Sequence, residues 1–400
     1  MRWTAFVVLS LLLVTSAAAQ HNFAAVDEAI DAAIAAEQIP GAVVLIAQDG
    51  EVLHERAFGD AQRFSYGNVL LEPPEAMTPA HVFDVASLTK VMATTFALML
   101  LVEDGVLDLD MPVHRALPTF RGTAKDSITV RHLLSHTSGL MPWEPMYYHA
   151  SSPSEALTHI ATLPLVGAVG ERVRYSDLGF MLLGYLVEAV SGQPLNAFLR
   201  DRLYLPLDLS HTGFRPLHGP FAATSHGNPF ERRMVTDDSF GYVCDEDPTA
   251  FTDWRTYTLV GEVNDGNAHH AHQGVAGHAG LFSTAEELNR LMTLLLNDGA
   301  YDGREYLSPA TLRAFLGPHT ATRALGWAVD EGVLGMDDLP DGAFGHTGFT
   351  GTLAVGIPSR GLSILLLTNR QNLGVGDDGR YASLTDLRRA VVRAALDATR

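Results

Sequence analysis

The chain has 400 residues, 47% of them hydrophobic, with 27 basic against 46 acidic side chains for a formal net charge of -19. That is enough apolar material for one large domain or two intimately packed ones. The acidity argues against binding to a nucleic acid backbone or an anionic membrane, both of which require a basic face, and the single cysteine, Cys244, excludes an internal disulfide.

The opening MRWTAFVVLSLLLVTSAAAQ combines Arg2, an apolar run from Ala5 to Val14, and Ala17 and Ala19 at A-x-A spacing. It reads as a signal peptide over 1–19, and a secreted or periplasmic protein is expected. The run is short for a membrane span and has no cysteine at the cut, so no stable membrane anchor is expected. FAAVDEAIDAAIAAEQ, closed by Pro40 and Gly41, predicts a helix. GAVVLIAQDGEVLHERAFG predicts two strands joined at Asp49-Gly50. Long polar loops are expected around 60–80 and 215–275.

The stretch from Ser87 to Gly105 predicts a buried helix, apolar on most faces. DLGFMLLGYLVEAVSG predicts another ending near Gly192, and Ser283 with Glu286 reads as a capping box for a helix to about Leu296. TLAVGIPSRGLSILLLTNR gives two more strands around Pro358 to Gly361, and TDLRRAVVRAALDA a terminal helix. The expected architecture is α+β, a single domain over 20–400. An antiparallel sheet from both chain ends, about 22–85 and 300–400, is faced by the terminal helices, and a mostly helical part, about 87–298, is inserted. A site is expected in the cleft between the two parts.

Lysine is scarce: Lys90 is one of two, against 25 arginines. What lysine has and arginine lacks is a proton it can lose. Lys90 follows Ser87 by three residues, a spacing that places hydroxyl and amine on one helix face. Near a helix N-terminus the dipole favours negative charge developing on Ser87. Burial is expected to lower the pKa of Lys90 towards neutrality. Alone, S-x-x-K is a weak pattern, since serine caps many helices. Tyr175, Ser176 and Asp177 precede the second apolar helix. Ser176 or Asp177 can cap it, and Tyr175 is either a packed aromatic or a proton relay. His346, Thr347 and Gly348 are placed at the start of a strand, where the N–H of Phe349 can face that of Ser87 as a pair of oxyanion donors.

These three ordered motifs, with TVRHLLSHTSGL at 129–140 and GVAGHAGLFSTAEEL at 274–288, resemble those of the serine β-lactamase and penicillin-binding-protein superfamily, in its class C-like and esterase branch. The resemblance runs from about residue 24 to the C-terminus. It implies a β-lactamase-like fold and an acyl-enzyme mechanism without a cofactor. Ser87 would be the nucleophile, with Lys90 and Tyr175 as general base and acid. The N–H groups of Ser87 and Phe349 would form the oxyanion hole, and Asp177, His346, Thr347 and Gly348 would bind a small ester, amide or peptide substrate.

Two positions depart from the common pattern of that family: Asp177 where asparagine is usual, and His346 where lysine is usual. The second change removes a fixed cation for a substrate carboxylate and leaves a pH-dependent one, so an inflection near neutrality is expected in the rate profile. Both shift the expectation away from β-lactams and D-amino-acid peptides of the cell wall, towards esters or amides without that carboxylate. A non-catalytic binding protein of the same fold is the reading from another class.

His269, His270, His272 and His278 are close enough in sequence to suggest zinc, but neither H-E-x-x-H nor a cysteine pair accompanies them. A loop lining the cleft is expected there, with no metal. His132, Ser135 and His136 are read as structural. The absence of G-x-S-x-G and of strand–helix alternation excludes an α/β-hydrolase.

Overall fold

The computed structural model describes residues 21–216, 218–240 and 246–400, so the expected signal peptide and Cys244 lie outside the described residues. Gly41–Gln48 (β1) is buried along nearly its whole length because it runs through the middle of a seven-stranded sheet. Glu51–Ser65 (β2) and Val69–Ala76 (β3) continue the sheet on one side. On the other side lie Ala328–Val329 (β4), Phe344–Thr347 (β5), Leu353–Ile357 (β6) and Leu362–Thr368 (β7). The order is β3-β2-β1-β7-β6-β5-β4, all antiparallel, with β1 beside β7 in a register that pairs Val44 with Leu366. The two chain ends thus meet at the centre of the sheet, as expected.

The central strands read as unbroken apolar runs because both faces are covered. Val44, Ile46, Ile364 and Leu366 point to one face and pack with Val26 and Ile30 of Ala24–Ala35 (α1) and with Val391 and Val392 of the C-terminal helix Thr385–Ala398. Val43, Leu45, Leu365 and Leu367 point to the other, against the helical part of the molecule. Each such side chain, taken fully from water, contributes about 1.5–3 kcal/mol.

Three expectations need correction. The loop around 60–80 is largely strand: β2 runs to Ser65 and β3 follows, a mostly exposed edge ribbon whose polar residues face water. The helix Ala285–Leu296 is capped by Thr284, whose hydroxyl accepts the Glu287 N–H, and not by Ser283, which ends the strand Leu281–Ser283 and bonds Thr212 instead. His346 and Thr347 close β5, and Gly348 begins the turn into β6, so the motif ends a strand and does not start one. The loop expected over 215–275 is mainly irregular in its described residues, with a short α-helix at Pro229–Thr236 and single helical turns at Asp238–Phe240 and Asn267–Ala271. Among the described residues no single helix is long and apolar enough to cross a membrane.

Candidate active site

The segment that presents Ser87 is held from both sides. Asp84 accepts the N–H groups of Ala86 and Asn264 through its two carboxylate oxygens, at 2.8 and 2.6 Å. Ala86 sits at φ +48°, a costly conformation for a residue with a Cβ, immediately before the serine. A tight turn, Lys90 N–H to Ser87 C=O, leads into a π-helical turn at Lys90–Thr94 and then the α-helix Thr95–Glu103 (α2), which Gly105 stops as expected. Residues 95 to 101 are all buried, which makes this the central helix of the core.

The expected spacing holds. Lys90 is fully buried, and its Nζ donates to Ser87 Oγ and to the carbonyl of His278, each at 3.0 Å. That carbonyl comes from the loop 274–280, which approaches the neighbouring helix so closely that a Cβ on Gly277 would collide with the carbonyl of Phe180. Glycine is required there, and it sets the position of His278.

Ser176 caps the helix Asp177–Ser191 (α3), accepting from Gly179 N–H while donating to the carbonyl of Met141. Asp177, the first residue of α3, then points at Lys90, with Oδ1 2.8 Å from Nζ. This contact overturns the expected pKa. Burial does work against the Lys90 charge, but the Asp177 carboxylate, helped by Tyr175, outweighs it and holds the ammonium above the ordinary lysine range. Lys90 is therefore a cation at rest. The Tyr175 ring lies beside it, 5.0 Å from Nζ to centroid, and packs on His136, 4.5 Å between ring centres. His136 also accepts the Ser176 N–H, the structural role expected of it.

His346 is buried. Burial, with Arg323 and Lys90 adding positive charge, holds it well below the usual histidine value, so it is neutral near pH 7 and not the partial cation expected. Fixed cations do lie beside this site, on other elements. A cavity of about 560 Å³ beside Ser87, Tyr175, His346 and Thr347 contains Arg323, Arg370 and Arg388, and among the described residues no carboxylate lines it. Arg370 spends its guanidinium on the carbonyls of Phe349 and Ala382, and Arg388 donates to those of Gly348 and Thr352. These two hold the turn that carries the Phe349 N–H. The guanidinium of Arg323 has no hydrogen-bond or ion-pair partner among the described residues and reaches the cavity beside the Tyr175 ring, 5.8 Å from its centroid. No motif marks it.

Other histidines meet in pairs, His149 with His159, His269 with His270 and His272 with His278, at 3.9, 4.5 and 6.1 Å between ring centres. His278 pairs with Asp265 at 3.0 Å, His272 with the Tyr185 hydroxyl at 2.6 Å, and His132 closes the capping box at Thr129. The loop 215–275 does line the cleft, through Phe230, Glu231, Met234, Asn264 and Asp265.

The β-lactamase family model matches residues 26–387. The chain is similar to an N-acetylmuramyl-L-alanine amidase of Bacillus subtilis (strain 168), at 36% identity over 88% of this chain and 82% of that one. It is similar also to an Escherichia coli (strain K12) protein with the provisional name D-alanyl-D-alanine carboxypeptidase, at 32% identity over 84% and 80%. Among solved structures, EstCE1, described as a hydrolase with promiscuous acyltransferase activity, superposes with a TM-score of 0.69 at 23% identity, covering 93% of this chain and 97% of the other. A penicillin-binding-protein homologue from Caulobacter crescentus also gives 0.69, at 22% identity over 94% and 97%. At those identities the structures speak for the fold alone, while the family match and the two relatives carry the assignment. The chain belongs to the β-lactamase family and is a serine hydrolase of the β-lactamase and penicillin-binding-protein type.

Proposed function

We propose that the protein hydrolyses an amide bond through a Ser87 acyl-enzyme and that the departing amine carries a carboxylate, which Arg323 receives. The observation that carries this reading is the composition of the cavity beside Ser87: three arginines and no acid, in a chain of net charge -19. With Arg370 and Arg388 occupied by backbone carbonyls, Arg323 is the one left for a ligand. The names of both relatives describe an amide whose nitrogen belongs to an alanine. This moves the reading away from the carboxylate-free ester or amide that His346 alone suggested. On the signal-peptide reading of residues 1–19, the substrate is met outside the cytoplasm.

In this mechanism the Lys90 ammonium donates to Ser87 Oγ and cannot also take its proton. Tyr175 therefore relays the proton: its phenolic oxygen takes the Ser87 proton as its own O–H proton passes to the leaving nitrogen. The oxyanion sits between the N–H groups of Ser87 and Phe349; Arg388 holds the Gly348 carbonyl of the peptide that carries the latter, and Arg370 holds the Phe349 carbonyl. Water then frees the acyl group.

The test compares kcat/KM for N-acetylmuramyl-L-alanine and N-acetyl-D-alanyl-D-alanine, each as free acid and as carboxamide. The free acid of at least one is expected to be preferred about tenfold or more, the worth of a charge-assisted hydrogen bond, and Arg323→Gln should erase that preference. Equal rates on acid and carboxamide in the wild type would refute the assignment.

A further inference from the structure

On the other side of Ser87, a second cavity of about 210 Å³ is walled by Trp143, Phe230 and Phe349, with Asp177, Glu231 and Asp265 forming an acidic side. Such a composition suggests a cationic ligand at first sight. Its carboxyl groups are not three free charges, however. Asp177 is taken by Lys90, and Asp265 by His278 at 3.0 Å and the Ala268 N–H at 2.7 Å. Glu231 remains. It is 9% exposed; its Oε1 accepts the Gly266 N–H at 2.8 Å, and its Oε2 is buried with no partner. Gly266 makes the room, since a Cβ there would collide with that carboxyl oxygen.

The charged and titratable groups that act on Glu231 are Asp265, Arg255, Asp177 and the buried Tyr381. Arg255 is already bound to Glu262 at 2.7 Å and to the carbonyls of Val263 and Asn264 at 2.6 Å. Burial, reinforced by Asp265, pushes Glu231 up to about 8. In neutral solution it is then a carboxylic acid, a donor and an acceptor at once, and not a counter-ion.

We infer that this cavity receives the acyl part of the substrate and selects an uncharged group bearing hydroxyl or acetamido functions, the chemistry of an N-acylated sugar, with Glu231 as the specificity-determining residue. This rests on the amide-hydrolase reading above and adds the acyl side, since the Arg323 cavity takes the leaving group. Glu231 bonds the polar edge of the ring through Oε2. Phe230 and Phe349, edge to face at 5.0 Å between ring centres, cover its apolar side together with Trp143. The cavity holds the liquid volume of about seven waters, which suits one ring-sized group. An ammonium in the same place would find a counter-ion only if Glu231 gave up its proton to solvent or the Asp177–Lys90 pair broke.

The experiment is equilibrium binding to the full-length Ser87→Ala protein of two ligands that share an alanine: N-acetylmuramyl-L-alanine, and L-lysyl-L-alanine as the cationic acyl probe. The muramyl ligand is expected to bind about tenfold more tightly and to lose about tenfold as pH rises from 7 to 9, when Glu231 gives up its donor. Glu231→Gln, which keeps a donor at every pH, should remove that loss. Tighter binding of lysyl-alanine that strengthens with pH, or equal binding of both ligands, overturns the inference, and neither result needs the Glu231 variant to fold. Turnover by the protein with Ser87 intact is scored separately. The expected binding pattern without turnover would sink the amide-hydrolase reading, whereas turnover with the opposite pattern would sink only the acyl-side inference.

Discussion

Asp177 Oδ1 lies 2.8 Å from Lys90 Nζ, and this ion pair fixes the charge of the group that donates to Ser87 Oγ. A lysine buried beside a serine is a candidate base only if burial prevails. Here a carboxylate stands opposite it, so the amine is kept as a cation and its place in the chemistry is to donate and to stabilise charge.

Asp177→Asn keeps the shape and removes the charge. Breaking a buried pair from one side costs about 3–5 kcal/mol; Asp177 is 19% exposed, so a smaller loss, about 2–3 kcal/mol, is expected in urea unfolding. The folded pKa of Lys90 lies above its unfolded value, so its stabilisation is complete below the ordinary lysine range and is lost only as pH rises through the folded value. The wild-type contribution of this pair should therefore be constant between pH 7 and 9, and the gap to the variant should narrow above the pH at which the variant's Lys90 loses its proton. In the variant burial is unopposed, and a new inflection in the rate should appear below the ordinary lysine value.

His346 offers a prediction of opposite sign. Because burial holds it neutral well below its usual value, the folded state binds fewer protons than the unfolded one as pH falls below about 6.5. Stability should decline there by about 1.4 kcal/mol per pH unit for this one group, and His346→Gln should reduce the slope by that amount in melts between pH 6.5 and 5. The rate profile near neutrality should show no inflection from His346. An inflection near pH 7 that disappears in His346→Gln would contradict the buried, neutral assignment.

Arg370 donates twice to the Phe349 carbonyl and so anchors the residue whose N–H is the proposed oxyanion donor. Arg370→Ala should lower kcat by about 10²-fold, the scale of losing one oxyanion donor, with KM changed less than about threefold on the reading of a donor felt only in the transition state. A variant altered mainly in KM would mean that Arg370 serves the ground-state ligand instead.

The parts of this molecule that were legible in sequence are those whose signal is local. Gly41–Gln48 and Leu362–Thr368 are apolar runs bounded by turn residues, and Ser87, Lys90 and Tyr175 lie in ordered motifs before apolar helices. Residues 69–76 do not read as a strand because Pro73 and Pro74 interrupt a short apolar start that stays exposed at the sheet edge. The charge of Lys90 was misjudged because it depends on what faces it across the cleft from the start of another helix. Arg323 and Glu231 sit in stretches without pattern, one before a two-residue strand and one in a short helix inside a long loop. Only the folded chain brings them to either side of Ser87.

The most direct measurement of the central claim is the intact mass of the mature protein quenched during turnover of N-acetylmuramyl-L-alanine and of N-acetyl-D-alanyl-D-alanine, beside Ser87→Ala. The account predicts an adduct equal to the acyl group of the substrate that is turned over, mapped to Ser87 by peptide digestion, with adduct and released alanine both absent in the variant. Alanine release that persists in Ser87→Ala, or an adduct on any other residue, would contradict it.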